Sequence, residues 1–238
     1  MENLSKKIFI TGVTHGIGRA TAELFCQRGW DVYGISSNKQ DGRGDELAKK
    51  YDNFHYSVAD VCDEDAVVDV LDKIGVIDAA FNNAGIGKEY EYADEESIEK
   101  ARKVIETNLI GTMICMKHEI KCMRKGVIIN NASVSANKAL TGCDACYAAS
   151  KAGVLRLTAE SAACEKYLGQ IKFFSILPGY IKTRMTAKDD LNEIRHKIVG
   201  HDMGMPDDVA RLVFNAVENY EYYSSGQCFN MDEGAFLI

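Results

Sequence analysis

Lys7-Ile8-Phe9-Ile10-Thr11-Gly12-Val13-Thr14-His15-Gly16-Ile17-Gly18 reads as a short buried strand running into a glycine-rich turn. A helical stretch from Gly16 to Arg28 follows. The G-x-x-x-G-x-G spacing lets backbone come close to a bulky anion. The N–H groups that open the next helix, and the positive end of its dipole, stabilise a pyrophosphate at that point. Strand, glycine turn and helix in this order begin a βαβ unit. The chain is therefore expected to be an α/β protein that binds a nucleotide.

Apolar runs and amphipathic stretches alternate from there to the end of the chain. Strands are expected near Lys7–Thr11, Asp31–Ser36, Phe54–Ser57, Ile77–Asn82, Val127–Asn131, Lys172–Leu177 and Gln227–Met231. Helices are expected near Gly16–Arg28, Asp45–Tyr51, Glu64–Ile74, Ile98–Met123, Cys146–Tyr167 and Asp207–Asn219. The pattern predicts one α/β domain over residues 1–238, a single Rossmann-like, doubly wound, parallel seven-stranded sheet flanked by helices. Of the two prolines, Pro178 follows a strand and Pro206 opens a helix, where its missing N–H costs little. In open sheets of this type ligands bind beyond the carboxyl ends of the strands. Gly12, Asp60, Asn82, Ser133 and Pro178 all fall at or just past such ends.

Composition narrows the class further. A net charge of −7 argues against general nucleic-acid binding. The first residues, Met1-Glu2-Asn3-Leu4-Ser5-Lys6-Lys7, lack the apolar core of a signal peptide, and no apolar run approaches the roughly 20 residues of a membrane span. Eight cysteines without an export signal read as reduced, mostly buried thiols in a cytoplasmic protein. Cys143-x-x-Cys146 has no second Cys or His pair at suitable spacing, so no metal site is expected.

Tyr147 and Lys151, in Tyr147-Ala148-Ala149-Ser150-Lys151, lie one helical turn apart on one face. An unperturbed phenol titrates near ~10 and is a sluggish acid or base at neutral pH. A neighbouring ammonium favours the phenolate; a downward shift of about three units corresponds to roughly 4 kcal/mol.

Thr11-Gly12-x-x-x-Gly16-x-Gly18, Asn82-Asn83-Ala84-Gly85, Asn108, Ser133, Tyr147-x-x-x-Lys151 and Pro178-Gly179 follow one another in an order that resembles the classical short-chain dehydrogenase/reductase family. The nearest flavour is that of the 3-oxoacyl-acyl-carrier-protein reductases and related bacterial carbonyl reductases. The resemblance covers nearly the whole chain. It implies an oxidoreductase that passes a hydride between NADP(H) and a ketone or secondary alcohol. Tyr147 would be the general acid/base, Lys151 would hold the nicotinamide ribose and lower the Tyr pKa, and Asn108 would anchor a proton-carrying water. Ser133 would bind the carbonyl oxygen, with Ser135 as a competitor two residues on.

The same resemblance gives the dinucleotide contacts: Gly12, Thr14, His15, Gly16, Ile17, Gly18, Ser36, Ser37, Asp60, Val61, Asn83, Ala84, Gly85, Tyr147, Lys151, Pro178, Gly179, Ile181 and Thr183. Asp60 would hold the adenine edge, or else cap the helix that begins near Glu64. An acidic residue at the end of the second strand would accept from both ribose hydroxyls and repel a 2′-phosphate. Here Ser36, Ser37 and Asn38 stand there, with Lys39 and Arg43 downstream, so NADP(H) is favoured and NAD(H) is the alternative. His15 occupies a place where NADP-preferring relatives carry a basic residue; its other reading is a capping or solvent-facing ring.

The substrate wall would be Ser133, Ala139, Leu140, Cys143, Tyr180 and Met185, under a lid over 184–201. Lys117, Lys121, Arg124 and Lys125 form a basic stripe that suits the carboxyl end of a helix dipole. Arg124 aligns with a residue that docks acyl carrier protein in the reductases of fatty acid synthesis, which makes that activity the alternative function. A non-catalytic dinucleotide sensor is the third reading. Asn230-Met231-Asp232-Glu233-Gly234 departs from the family's usual Asp-Gly-Gly at a segment used in subunit contacts. A homo-tetramer or dimer is expected.

Overall fold

The computed structural model describes residues 5–37, 42–87, 97–139, 145–187, 190–196, 198–199 and 202–234. Strands β1 (Lys7–Thr11), β2 (Asp31–Ser36), β3 (Phe54–Val58), β4 (Ala79–Asn82), β5 (Gly126–Asn131), β6 (Ile171–Pro178) and β7 (Cys228–Met231) alternate with helices α1 (Gly16–Gln27), α2 (Arg43–Lys50), α3 (Glu64–Ile74), α4 (Ile98–Ile105), α5 (Gly111–Cys122), α6 (Ala145–Ala163), α7 (Leu191–Arg195) and α8 (Pro206–Glu218). The strands form one sheet in the order β3-β2-β1-β4-β5-β6-β7, every neighbouring pair parallel. Strand order reverses between β1 and β4, and a crevice opens there at the carboxyl edge.

The period-2 alternation of strand side chains divides the core between two faces. On one, Ile8, Ile10, Phe81, Ile129, Phe174 and Ile176 meet Ala22 and Phe25 of α1 and Val209, Val213 and Val217 of α8. On the other, Phe9, Ala80, Ile128 and Phe173 meet Val67 and Leu71 of α3 and Cys115 and Met116 of α5. With both faces covered, the central strands carry continuous apolar runs, as parallel strands do. Phe9, Phe25, Phe81, Phe173 and Phe174 are fully buried; truncating any one to alanine is expected to cost about 3–5 kcal/mol.

The structure corrects several expectations. The helix expected over Ile98–Met123 is two helices, α4 and α5, joined by a π-helical turn at Glu106–Ile110. Within that turn the Asn108 side chain bonds the backbone of Ile86, and the Asn108 carbonyl accepts the Thr112 hydroxyl at 2.8 Å. The cap of α3 is Asp63, which accepts the Ala66 amide; Asp60 instead accepts the Cys62 amide at 3.0 Å. The helix expected to reach Tyr167 ends at Ala163, with a separate 3₁₀ turn at Glu165–Tyr167. Of the seven described cysteines only Cys26 and Cys115 are buried, and Cys228 is exposed. Burial pushes the Cys26 thiol up to about 12.

Candidate active site

The glycine loop is held in shape by the protein itself. Gly12 leaves β1 at φ +73°, a left-handed conformation that glycine adopts without steric penalty. Its amide donates to Ile35 at the end of β2, 2.8 Å away. The Asn83 side-chain amide, just past β4, donates to the carbonyls of Thr11 at 3.1 Å and Gly12 at 3.2 Å. The Thr11 hydroxyl in turn accepts the Asn83 and Ala84 amides. Asn131 at the end of β5 completes the latch by donating its side-chain amide to Asn83 Oδ1 at 3.0 Å. A Cβ at Gly18 would stand 2.2 Å from the Gly12 carbonyl oxygen, and one at Gly16 would stand 3.2 Å from Thr183 Cγ2. The loop after β6 thus closes against a cradle that only glycine leaves open, at the start of α1. That geometry fits a dinucleotide pyrophosphate.

A second cluster lies on α6. Tyr147 is half-buried, and Lys151, one turn on, is 4% exposed. The Lys151 ammonium donates to the Asn131 carbonyl at 2.7 Å and lies 5.8 Å from the centre of the Tyr147 ring. Burial pulls the Lys151 pKa down from 10.5 to about 8, because desolvation disfavours the charged form. Between them Ser150 is fully buried; its hydroxyl donates to the Tyr147 carbonyl at 2.7 Å and accepts the Asn108 amide at 3.0 Å. A Cβ at Gly85 would lie 3.2 Å from Asn108 Oδ1 and 3.4 Å from Lys151 Nζ, so the loop after β4 runs beside both groups. Ser133 follows β5 and caps the 3₁₀ turn Val134–Ala136, against which α6 packs. Its oxygen accepts the Ser135 amide at 3.2 Å and the Ser135 hydroxyl at 2.9 Å.

A family model described as short chain dehydrogenase matches residues 6–194. The chain belongs to the short-chain dehydrogenase family. It is 33% identical over 240 residues to a 3-oxoacyl-[acyl-carrier-protein] reductase of Synechocystis sp., covering 96% of each chain. It is 30% identical to a cyclohexanol dehydrogenase of Acinetobacter sp., covering 98% of this chain and 95% of that one. One further relative is longer, and the chain spans 43% of its length. Among solved structures, the ligand-free aldohexose dehydrogenase of Thermoplasma acidophilum superposes with a TM-score of 0.86 at 26% identity, over 98% of this chain and 95% of that one. The protein is thus an oxidoreductase of CH–OH or carbonyl groups, from a family that uses NAD(P)(H).

The remaining expected site residues of this short-chain dehydrogenase are dispersed around the two clusters. His15 sits at the cap position of α1 without a side-chain cap bond; its Nδ1 pairs with the Thr14 hydroxyl at 2.9 Å. Ile17 is half-buried and Val61 is buried. Asp60 and Ser37 are exposed near the ends of β3 and β2. Pro178 closes β6, and the Gly179 amide donates to Met231 of β7 at 2.8 Å. Ile181 is buried and bridges to Gly204, while the Thr183 amide donates to the Thr186 hydroxyl.

Besides Ser133, three residues expected at the substrate wall, Ala139, Tyr180 and Met185, lie among the described residues. Met185 lies against Gly87, where a Cβ would come within 2.5 Å of it. Tyr180 packs on Ile194, Ile198 and Met203, and Ala139 is exposed. Leu140 and Cys143 lie outside the described residues, as do Asn38 and Lys39. A cleft of about 860 Å³ opens on the α1–α8 side of the glycine loop, lined by Gly16, Arg19, Lys182, Thr183, Met203 and Arg211 among others. Sequence reasoning missed Ser150, Thr11 as a loop anchor, and Asn131. Ser150 alone carried a signal, since it lies three residues after Tyr147 on the same helical face.

Proposed function

We propose that this short-chain dehydrogenase is an NADP(H)-dependent oxidoreductase of ketones and secondary alcohols, with Tyr147 as its general acid/base. The observation that carries the reading is the buried Lys151 ammonium beside the Tyr147 ring. That ammonium is fixed by the Asn131 carbonyl, and Asn131 is itself latched to the glycine cradle through Asn83. Gly12, Gly16, Gly18 and Thr183 would hold the dinucleotide phosphates, and Lys151 the nicotinamide ribose. Bound there, the dinucleotide supplies or takes up a hydride.

Ser133 is the donor for the substrate oxygen, where negative charge develops during reduction. Tyr147 delivers a proton to that oxygen in reduction and removes it in oxidation. Lys151, charged below about pH 8, favours the phenolate and readies Tyr147 for the transfer. Asn108 and Ser150 fix the turn of α6 that carries both groups. The described part of 184–201 would act as a lid over a single domain, with residues 188, 189, 197, 200 and 201 outside the described residues.

Tyr147→Phe tests the assignment. Turnover of a ketone is expected to fall at least a hundredfold, while dinucleotide affinity measured by reduced-nicotinamide fluorescence stays within about twofold. A variant that turns over at the wild-type rate removes Tyr147 from the role.

The Synechocystis relative favours a second reading, the reduction of 3-oxoacyl groups on acyl carrier protein. The basic stripe is partly occupied, since Lys117 pairs with Glu64 and Lys125 with Glu221, whereas Arg124 is exposed at the end of α5. Activity on acetoacetyl thioesters beside simple diketones separates the two substrate classes.

A further inference from the structure

Ser133 leaves β5 in extended backbone, φ −170° and ψ 157°, and the chain turns at once into the 3₁₀ turn Val134–Ala136. Two backbone bonds close that turn, from the Ala136 amide to the Ser133 carbonyl at 3.0 Å and from the Asn137 amide to the Val134 carbonyl at 3.1 Å. Closed in this way, it aims the Ser135 amide at Ser133 Oγ, 3.2 Å away. The Ser135 hydroxyl donates to the same oxygen at 2.9 Å. Both serines are buried. Val134 between them joins a core cluster with Val154 of α6, which lies seven residues past Tyr147 on the face that carries Tyr147 and Lys151. The two hydroxyls are thereby held against the helix that bears the acid/base.

A hydroxyl oxygen has two lone pairs and one proton. Ser135 fills both lone pairs of Ser133 Oγ with its amide and its hydroxyl. No group among the described residues accepts the Ser133 proton. Ser133 can therefore donate to a substrate oxygen and cannot accept from one. Accepting from Ser135 also strengthens that donation. A ketone gains a polarised donor where its oxygen becomes negative. For a secondary alcohol the effect is different. Its own proton finds no acceptor at Ser133 and is left to the Tyr147 oxygen, which must remove it.

We infer that Ser135 is a positioning residue that fixes Ser133 as a donor only, and so reserves the alcohol proton for Tyr147. The inference rests on the reading given above, with Ser133 on the substrate oxygen and Tyr147 as acid/base. It gives Ser135 a part in the reaction through Ser133, not as the rival carbonyl donor.

Steady-state kinetics in both directions test it. The substrates are the ketone turned over fastest among cyclohexanone, butane-2,3-dione and an acetoacetyl thioester, and the alcohol it yields. Ser135→Ala frees one lone pair of Ser133, and kcat/KM for the ketone is expected to fall about tenfold. The KM of the alcohol is expected to fall about threefold relative to that of the ketone, because the alcohol then donates to Ser133 in an unreactive pose that a ketone, lacking the proton, cannot adopt. Ser135→Thr returns a hydroxyl and is expected to restore both constants. If its extra methyl lowers the melting temperature, the double variant with Ser133→Ala decides. That double variant is expected to lose no more than Ser133→Ala alone, because Ser135 acts through Ser133.

A loss in Ser133→Ala with none in Ser135→Ala, an unchanged KM ratio, or additive losses in the double variant overturns the role of Ser135 and leaves the reading beneath it standing. Wild-type kcat/KM in Ser133→Ala, or a wild-type chain inactive on all three ketones, overturns that reading itself.

Discussion

Lys151 has its Nζ on the Asn131 carbonyl, and burial alone draws its pKa from 10.5 to about 8. The folded value lies below the unfolded one, so between about 8 and 10.5 the folded chain binds fewer protons than the unfolded chain. The stability linked to Lys151 is therefore fully present above 10.5 and is lost as pH falls through about 8. Lys151→Met has no such window. Its melting temperature relative to wild type is expected to climb as pH drops from 10 to 7, followed by circular dichroism; a constant difference would refute the linkage. Gly18→Ala places a methyl 2.2 Å from the Gly12 carbonyl oxygen, and the loop must open to admit it. Dinucleotide affinity is expected to fall more than ~10-fold, since the cradle amides leave their places; unchanged affinity by fluorescence titration would count against the cradle. At this scale the sequence was legible where a site depends on local spacing. Tyr147 and Lys151 had to share a helical face, and three close glycines had to make a turn. Asn83 and Asn131 carried no such signal, because their bond joins residues 48 apart in sequence.

Helix α5 shows how an element departs from its local pattern. Glu119, in Met116-Lys117-His118-Glu119-Ile120, sits among charges that read as a solvated face, yet it is fully buried. Its Oε2 accepts the Asn82 amide at 2.9 Å. Asn82 also donates to Asn130 Oδ1, and Asn130 donates to Thr158 of α6 at 2.8 Å. This polar row runs under β4 and β5 just behind the residues of the latch. Burial lifts the Glu119 carboxyl from 4.5 to about 8. Here the folded value exceeds the unfolded one, so the linked stability is fully present below 4.5 and is lost as pH rises through about 8. Glu119→Gln keeps the shape and the Asn82 bond without a charge to expose. Urea unfolding is expected to find it more stable relative to wild type at pH 9 than at pH 5; the opposite trend would place the buried proton elsewhere. The π-helical turn ahead of α5 was legible only as a local irregularity in a long helix, at Asn108 and Gly111. An Asn and a Gly in a helix lower its propensity; within the turn Asn108 bonds the Ile86 backbone, Ser150 and Thr112.

Across the whole molecule, the alternation of strands and helices was readable because each unit is coded over ten to twenty neighbouring residues, and the covered faces follow from continuous apolar runs. The closure of the sheet edge was not readable. The C-terminal turn meets two distant segments: a Cβ at Gly179 would lie 2.8 Å from Asp232 Cα, and one at Gly234 would lie 2.8 Å from Val199 Cβ. Deleting residues 232–238 leaves β7 whole and removes those contacts. Trypsin is expected to cut at Arg184 or Arg195 several-fold faster in the shortened chain, since local opening sets such rates; equal rates would show the turn to be passive. The all-parallel sheet also governs how the chain reaches this state. Hairpins cannot seed it from any of the described pairings, because each strand returns in the same direction only after a crossover. Ile8 pairs on one side with Val32, but on the other it must wait for Ala79. During synthesis the apolar β1–β2 pair is therefore on display until β4 has left the ribosome. Refolding is expected to be correspondingly slow and exposed to aggregation.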